Sequence, residues 1–256
     1  MIPYFEQPVL HLGPLEISLF SALVVLGAVI GVVVARLHAR RQGLDPAVAE
    51  RLAVWVLVGG FLAAHLVDRL AYFPAQTFRD PLSLLRFWEG LSAFGGFLGA
   101  IAAIALFLRR AGLRPHTWRY VDTIAYAFPF GWVAGRLGCF VAYDHPGTPT
   151  GLFFGQAYTD GVVRHNLGLE EALYTLAIVA GFVVLGRRPR RPGLFAGLLA
   201  VLYAPGRFFL DFLRIGDALY LGLTPAQWGS ILLLPVGVWV LARSRRPALP
   251  GPPADD

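Results

Sequence analysis

The chain has 256 residues, 56% of them hydrophobic and 15% charged, with a formal charge of +6 and a mean hydropathy of +0.60. This composition excludes a soluble globular domain and marks a polytopic membrane protein. All 22 cationic residues are arginine, which excludes lysine-based covalent chemistry. In a membrane chain arginines report topology first, so no nucleic-acid partner is expected.

Apolar stretches run over roughly 17–36, 52–73, 91–108, 120–142, 166–186, 193–213 and 225–242. Each is near the ~20 residues that a helix needs to cross the hydrocarbon layer, with 91–108 at the short end. The first has no basic segment before it and no small-residue cleavage site after it, so it reads as a retained span. The second contains His65, polar in an apolar run, which is either hydrogen-bonded to a backbone carbonyl or in contact with substrate. The segment 74–88 (PAQTFRDPLSLLRFW) then mixes aromatic, leucine and arginine residues and reads as amphipathic, lying in the interface.

The third stretch opens with Gly95, Gly96 and Gly99, and the fourth carries Gly131, Ala134, Gly135, Gly138 and Ala142. Small residues at this spacing let a neighbouring helix approach closely. Gly135 and Gly138 also flank Arg136 and clear space around its head group. Cys139, the only cysteine, excludes an internal disulfide and reads as a small buried hydrophobe. Asp144 and Gly147 fall in the next loop, followed by His165 and Glu171 at the start of the fifth span. On the sixth, Tyr203, Arg207 and Asp211 are spaced i, i+4, i+8 along one face. The tail 247–256 reads as a disordered end, leaving 1–246 as a single membrane domain. No Cys/His pair stands at metal-ligand spacing and no glycine-rich nucleotide fingerprint occurs, so neither metal nor cofactor is expected.

Arg136 and Arg207 lie inside spans, where a guanidinium costs at least ~2.5–3.5 kcal/mol. Each must be paired, face a polar cavity or hold an anion, and a phosphate-headed lipid is the natural anion. Asp211, one turn from Arg207, either locks helix packing or holds the arginine's rotamer while leaving part of its fork for a ligand. Of the other arginines, fifteen flank the connections on one side and five the other. The positive-inside rule then puts the N-terminus outside and the C-terminus in the cytoplasm. The expected fold is an all-α bundle of seven transmembrane helices with a small outer loop region. Arg136, Arg207, His165, Glu171, Asp144 and Gly147 then converge on the outer leaflet.

The run 135–150, GRLGCFVAYDHPGTPT, resembles the signature of the prolipoprotein diacylglyceryl transferase family, approximately G-R-x-G-N-F-x-N-x-E-x-x-G. The start, IPYFEQPVLHLGPLEI, is similar to that family's N-terminus. Trp88-Glu89-Gly90 with Gly95-Gly96 is similar to its W-[DE]-G…H-G-G segment. HNLGLEEAL (165–173) is similar to H-P-x-Q-L-Y-E-A, and YAPGRFFLDFLR (203–214), with Gln227 and Ser230, to R-x-x-x-E-F-x-R…Q. The resemblance implies a multi-pass enzyme of the bacterial inner membrane. It implies transfer of a diacylglyceryl group from phosphatidylglycerol to the lipobox cysteine of a prolipoprotein signal peptide, with glycerol 1-phosphate leaving. It implies catalytic roles for Arg136, Arg207, Glu171 and Asp144, and substrate contacts for Arg136, Gly147, Tyr203, Asp211 and His65.

Four positions depart from the pattern. Phe94 or Gly95 stands where the family has a histidine, Phe20 where its first helix has a tyrosine, and Cys139 and Ala142 where its signature has asparagines. The missing imidazole leaves a non-catalytic lipid- or lipoprotein-binding homologue as the alternative. The intramembrane arginines alone would also fit a small-anion transporter.

Overall fold

A computed structural model describes residues 1–13, 15–86, 90–217 and 219–244. The expected tail, and Trp88 and Glu89 of the third motif, lie outside the described residues. The helices are α1 (Leu19–Arg41), α2 (Pro46–Val67), α3 (Pro74–Arg79), α4 (Ala93–Arg110), α5 (Thr117–Ala142), α6 (Leu167–Leu185), α7 (Leu194–Leu210) and α8 (Pro225–Ser244). Among the described residues, six helices are long and apolar enough to cross a membrane: α1, α2, α5, α6, α7 and α8. The stretch expected at 91–108 forms α4, with 18 residues. Large apolar side chains such as Val25 (α1), Ile101 (α4) and Leu232 (α8) face outward, as a lipid solvent requires.

Local chemistry sets the helix starts. Ser18 accepts from the Ser21 amide at 3.1 Å to cap α1. Asp45 accepts from Ala47 at 2.8 Å, with Pro46 in the first turn of α2. Ser92 caps α4 and Asn166 caps α6, through the amides of Gly95 and Leu169. Each cap satisfies amides that the helix leaves without an internal partner. The cap of α7 comes from another helix. Asp122 on α5 accepts from the Gly193 and Ala196 amides, both at 2.8 Å.

Glycines set the helix crossings. A Cβ on Gly131 of α5 would stand 2.4 Å from the Gly27 carbonyl of α1, and one on Gly99 of α4 would stand 2.3 Å from the Gly59 carbonyl of α2. Gly197 and Gly237 face each other less tightly between α7 and α8, a Cβ on either standing 3.1 Å from the other's carbonyl oxygen. These glycines therefore serve packing. Gly135 differs, because a Cβ there would meet nothing within 4 Å.

Three features depart from the expected pattern. An antiparallel hairpin, β1 (Val9–Leu12) and β2 (Leu15–Ser18), precedes α1. A three-stranded sheet, ordered β3 (Pro146–Pro149), β5 (Val163–Asn166), β4 (Gln156–Ala157), fills the loop between α5 and α6. Strands this short carry too little alternation to register in a hydropathy pattern. Finally, α7 ends at Leu210, and Asp211–Leu213 form a single 3₁₀ turn. Asp211 is the C-terminal cap of α7, still in helical conformation one turn beyond Arg207.

Of the segment 74–88, residues 74–86 are described, with α3 followed by a 3₁₀ turn over Pro81–Leu85. Phe78, Leu82 and Leu85 are exposed, while Thr77 and Ser83 turn inward. That distribution is the amphipathic one.

The crossing at Gly131 gives a direct expectation. Gly131→Ala should destabilise the detergent-solubilised protein by about 1–3 kcal/mol through overpacking, whereas Gly135→Ala should cost nothing measurable. Equal melting temperatures for the two variants would refute the assignment of Gly131 to helix contact.

Candidate active site

Three helices meet at one carboxylate. Glu171, one turn into α6, is 1% exposed. Its Oε1 lies 2.9 Å from Arg136 Nε on α5, and its Oε2 lies 3.1 Å from Arg207 Nη1 on α7. Oε1 also accepts from the Tyr203 hydroxyl at 2.5 Å and from the Trp132 indole at 2.9 Å. Three hydrogen-bond donors and a second guanidinium charge, on two helices, thus converge on one acid of a third.

The spacing along each helix explains the convergence. Trp132 and Arg136 are four apart on α5, so they share a face, and the Arg136 guanidinium stands 4.7 Å from the indole ring centroid. Tyr203 and Arg207 are likewise four apart on α7. Arg207 then turns its other terminal nitrogen to Asp211 Oδ1 at 2.9 Å. Asp211 Oδ2 accepts from the Thr224 hydroxyl. Thr224 and Gln227 bond reciprocally, Thr224 N to Gln227 Oε1 at 3.0 Å and Gln227 N to Thr224 Oγ1 at 3.1 Å, the capping-box arrangement at the start of α8. The chain of contacts therefore runs from α5 through α6 and α7 to α8.

Two guanidiniums and two carboxylates make the cluster neutral overall. Both arginines are 9% exposed and lie in helices that cross an apolar region. Each charge removed from water needs a partner of opposite sign, and here each arginine has one. Arg136 Nε faces Glu171 as an ion pair without hydrogen-bond geometry, while its Nη1 meets the soft Cys139 sulfur at 3.7 Å. A sulfur at that distance is a weak acceptor, so the terminal nitrogens of Arg136 are the ones a phosphate would recruit.

The loop beyond α5 borders this cluster. Tyr143 ends the helix in the left-handed conformation, φ 57°. The chain turns back there, and Asp144 Oδ1 meets His145 Nδ1 at 2.5 Å. The ligand atoms of Cys139, Asp144 and His145 all lie within 4.8 Å of one another. Burial, with the neighbouring Tyr143 hydroxyl adding to it, pushes the Tyr158 hydroxyl in this loop up to about 12. Tyr158 thus stays neutral through the physiological range.

Of the residues singled out in the sequence, the structure brings Arg136, Glu171, Tyr203, Arg207 and Asp211 into one network. Asp144 lies outside that network, in the loop with His145. Gly147 sits in β3, where a Cβ would come 2.7 Å from His165 Cβ and 3.1 Å from the Leu213 carbonyl. Gly147 also forms a bridge with Arg214, so its absent side chain lets the loop lie against the end of α7. His65 is fully buried on α2, with Nδ1 3.3 Å from the Gly90 carbonyl. His165 pairs with Glu170 at 2.6 Å. Sequence reasoning missed Trp132, Thr224 and His145. Only the four-residue step from Trp132 to Arg136 was there to find.

Residues 7–243 match the prolipoprotein diacylglyceryl transferase family. The chain is 32% identical to the phosphatidylglycerol--prolipoprotein diacylglyceryl transferase of Solidesulfovibrio magneticus, over 94% of this chain and 95% of that one. It is 31% identical to the same-named protein of Aromatoleum aromaticum, over 95% and 97%. It is 32% identical to that of Nitratidesulfovibrio vulgaris, over 98% of each.

The shared carboxylate makes a graded prediction. Glu171→Ala leaves two buried guanidiniums short of a counter-charge and should cost about 3–5 kcal/mol. Tyr203→Phe removes one hydrogen bond and should cost about 1 kcal/mol. Unfolding of both variants in one detergent measures the difference, and similar losses would mean that Glu171 is not the hub.

Proposed function

The chain belongs to the prolipoprotein diacylglyceryl transferase family, and on that premise we propose that Arg136 and Arg207 hold the phosphate of phosphatidylglycerol for transfer of its diacylglyceryl group to a prolipoprotein cysteine. The protein is an enzyme, a transferase of lipoprotein biosynthesis. One observation carries the site assignment: two buried arginines from different helices share a single carboxylate, and one of them keeps weakly engaged terminal nitrogens.

The chemistry follows from the charges. The cysteine sulfur attacks the glyceryl carbon that bears the phosphate, a carbon–sulfur bond forms, and the carbon–oxygen bond breaks. Its electron pair stays on the phosphate oxygen, so glycerol 1-phosphate leaves with added negative charge. Guanidiniums aimed at that phosphate stabilise the charge as it develops, the part of the reaction where fixed donors contribute most. Both oxygens of Glu171 are engaged, so its role is to aim the arginines. Tyr203 and Asp211 hold the same geometry from α7. The thiol proton is lost at Asp144, the acid at the open edge of the site, beside His145. Gly147 seats this loop, and His65, through Gly90, secures the connection between α2 and α4.

α4 serves as a seventh span, the N-terminus lies outside, the C-terminus lies in the cytoplasm, and residues 1–246 act as one domain in the bacterial inner membrane. The fifteen-to-five arginine asymmetry supports this orientation. The peptide substrate is the lipobox cysteine of a signal peptide, approaching within the membrane.

One observation favours the non-catalytic alternative. A Cβ on Gly95 would stand 2.6 Å from both the Ala63 carbonyl and Val67 Cβ, so no imidazole fits there, and Phe94 is exposed. The position at which the family carries its histidine is given over here to helix packing.

An assay of purified protein with phosphatidylglycerol and a lipobox peptide, read by mass spectrometry of the cysteine, separates the two readings. Thioether formation is expected, falling about 10²–10³-fold in Arg136→Ala. Arg136→Lys should also be impaired, because an ammonium lacks the planar fork for two phosphate oxygens. Lipid binding without thioether at any pH would make the protein a holding homologue. For orientation, a reporter fused to the C-terminus should be active only in the cytoplasm, and external activity would overturn the assignment.

A further inference from the structure

The start of α5 lies at the opposite end of that helix from Arg136. There the last turn of α1, the first turn of α5 and the connection into α7 enclose a cavity of about 20 Å³. His38, Gln42, Arg119, Asp122 and the exposed Arg190 line it. Two buried polar atoms of this lining, His38 Nδ1 and Gln42 Nε2, have no hydrogen-bond partner among the described residues. Buried polar groups are nearly always satisfied, so two orphans on one cavity point to a guest.

We propose that this cavity binds a single monatomic anion of the chloride class, which takes the hydrogen bonds that His38 and Gln42 leave unmade.

Packing keeps both side chains where they are. His38 is 2% exposed, with its ring stacked 3.8 Å from Tyr126 and met edge-on by Phe195. Gln42 Oε1 accepts from the Arg190 amide at 3.4 Å. That contact assigns the oxygen of the Gln42 amide to one side and leaves its two protons for the cavity.

The acceptors around the cavity are already engaged. Asp122 accepts from the Gly193 and Ala196 amides, both at 2.8 Å, and the Leu194 and Phe195 amides face it as well. The Gln42 carbonyl accepts from Arg119 Nη2 at 2.5 Å. The His38, Ala39 and Arg40 carbonyls take the amides of Gln42, Gly43 and Leu44. A water has two protons to place. Even with the imidazole nitrogen as one acceptor, the second proton would go unmatched. An anion brings no proton and accepts from every donor left over.

Charge points the same way. Arg119 and Arg190 both line the cavity, and neither forms an ion pair among the described residues. Asp122 is the single acid of the lining, and its carboxylate already caps α7. Arg41 adds a further positive charge close to His38. One anion therefore balances the excess cation of the lining. Size sets the class: a water needs roughly 10–15 Å³, so this space takes one small guest and no phosphate head group. The ion would touch α1, α5 and the connection between α6 and α7, beside the cap that joins Asp122 to Gly193.

Thermal unfolding of the purified chain in detergent tests the site, with chloride replacing gluconate at constant ionic strength. The melting temperature should rise by about 3–5 °C for each tenfold increase in chloride above its dissociation constant. Gln42→Glu keeps the oxygen that faces Arg190 and supplies a fixed negative charge. It should abolish the chloride dependence and melt in gluconate as high as the native chain does in chloride. In crystals grown with bromide, an anomalous peak is expected within hydrogen-bond reach of His38 Nδ1 and Gln42 Nε2.

A native chain that ignores chloride, or a Gln42→Glu variant that responds as strongly as the native one, overturns the proposal. A water at that position in the bromide crystal overturns it too, and makes the cavity a hydration site. If Gln42→Glu does not fold, the bromide position in the native chain decides.

Discussion

Everything at the centre of this bundle depends on one carboxylate answering two guanidiniums in a medium that solvates neither. In water such pairs contribute little, because bulk solvent competes for both partners. Between apolar helices the competition is gone, and an unpaired charge costs several kcal/mol. Glu171 removes that cost for Arg136 and Arg207 together, and so ties α5, α6 and α7 at one point. Asp211 and Thr224 extend the tie to α8. Under the proposed function, fold and function draw on the same contacts: the groups that make the arginines affordable in a membrane also aim them.

The helices were legible in the sequence because apolar runs of about twenty residues have few alternatives. Their starts were less so. α2 begins at Pro46 and not near 52, since the Asp45–Pro46 cap extends the helix through a polar first turn that hydropathy discards. The small sheets at the loops were invisible for the related reason that two- to four-residue strands have no period to detect.

Five members of the buried network, Arg136, Glu171, Tyr203, Arg207 and Asp211, were legible in the sequence, but their arrangement was not. Spacing along α7 led to Arg207 and Asp211 as a pair, and that pair exists at 2.9 Å. It gave no means to see that Glu171, expected on the fifth span, is the one partner that both arginines share. Contacts between helices leave no periodic trace in either one. Trp132 and Thr224 escaped for that reason. His145 escaped because its closeness to Cys139 comes from a backbone reversal at Tyr143, a residue type that rarely adopts a positive φ.

The cap that Asp122 supplies to α7 has a geometric consequence. Fourteen residues separate Asp122 from Arg136 on α5, and fourteen separate Gly193 from Arg207 on α7. The two helices are therefore pinned to each other at both ends of struts of equal length, about 21 Å at 1.5 Å per residue. Inserting or deleting a single residue within either strut would swing its arginine by about 100° around the helix axis and away from Glu171. A longer loop would leave both arginines where they are, but the register of these two struts has to stay as it is.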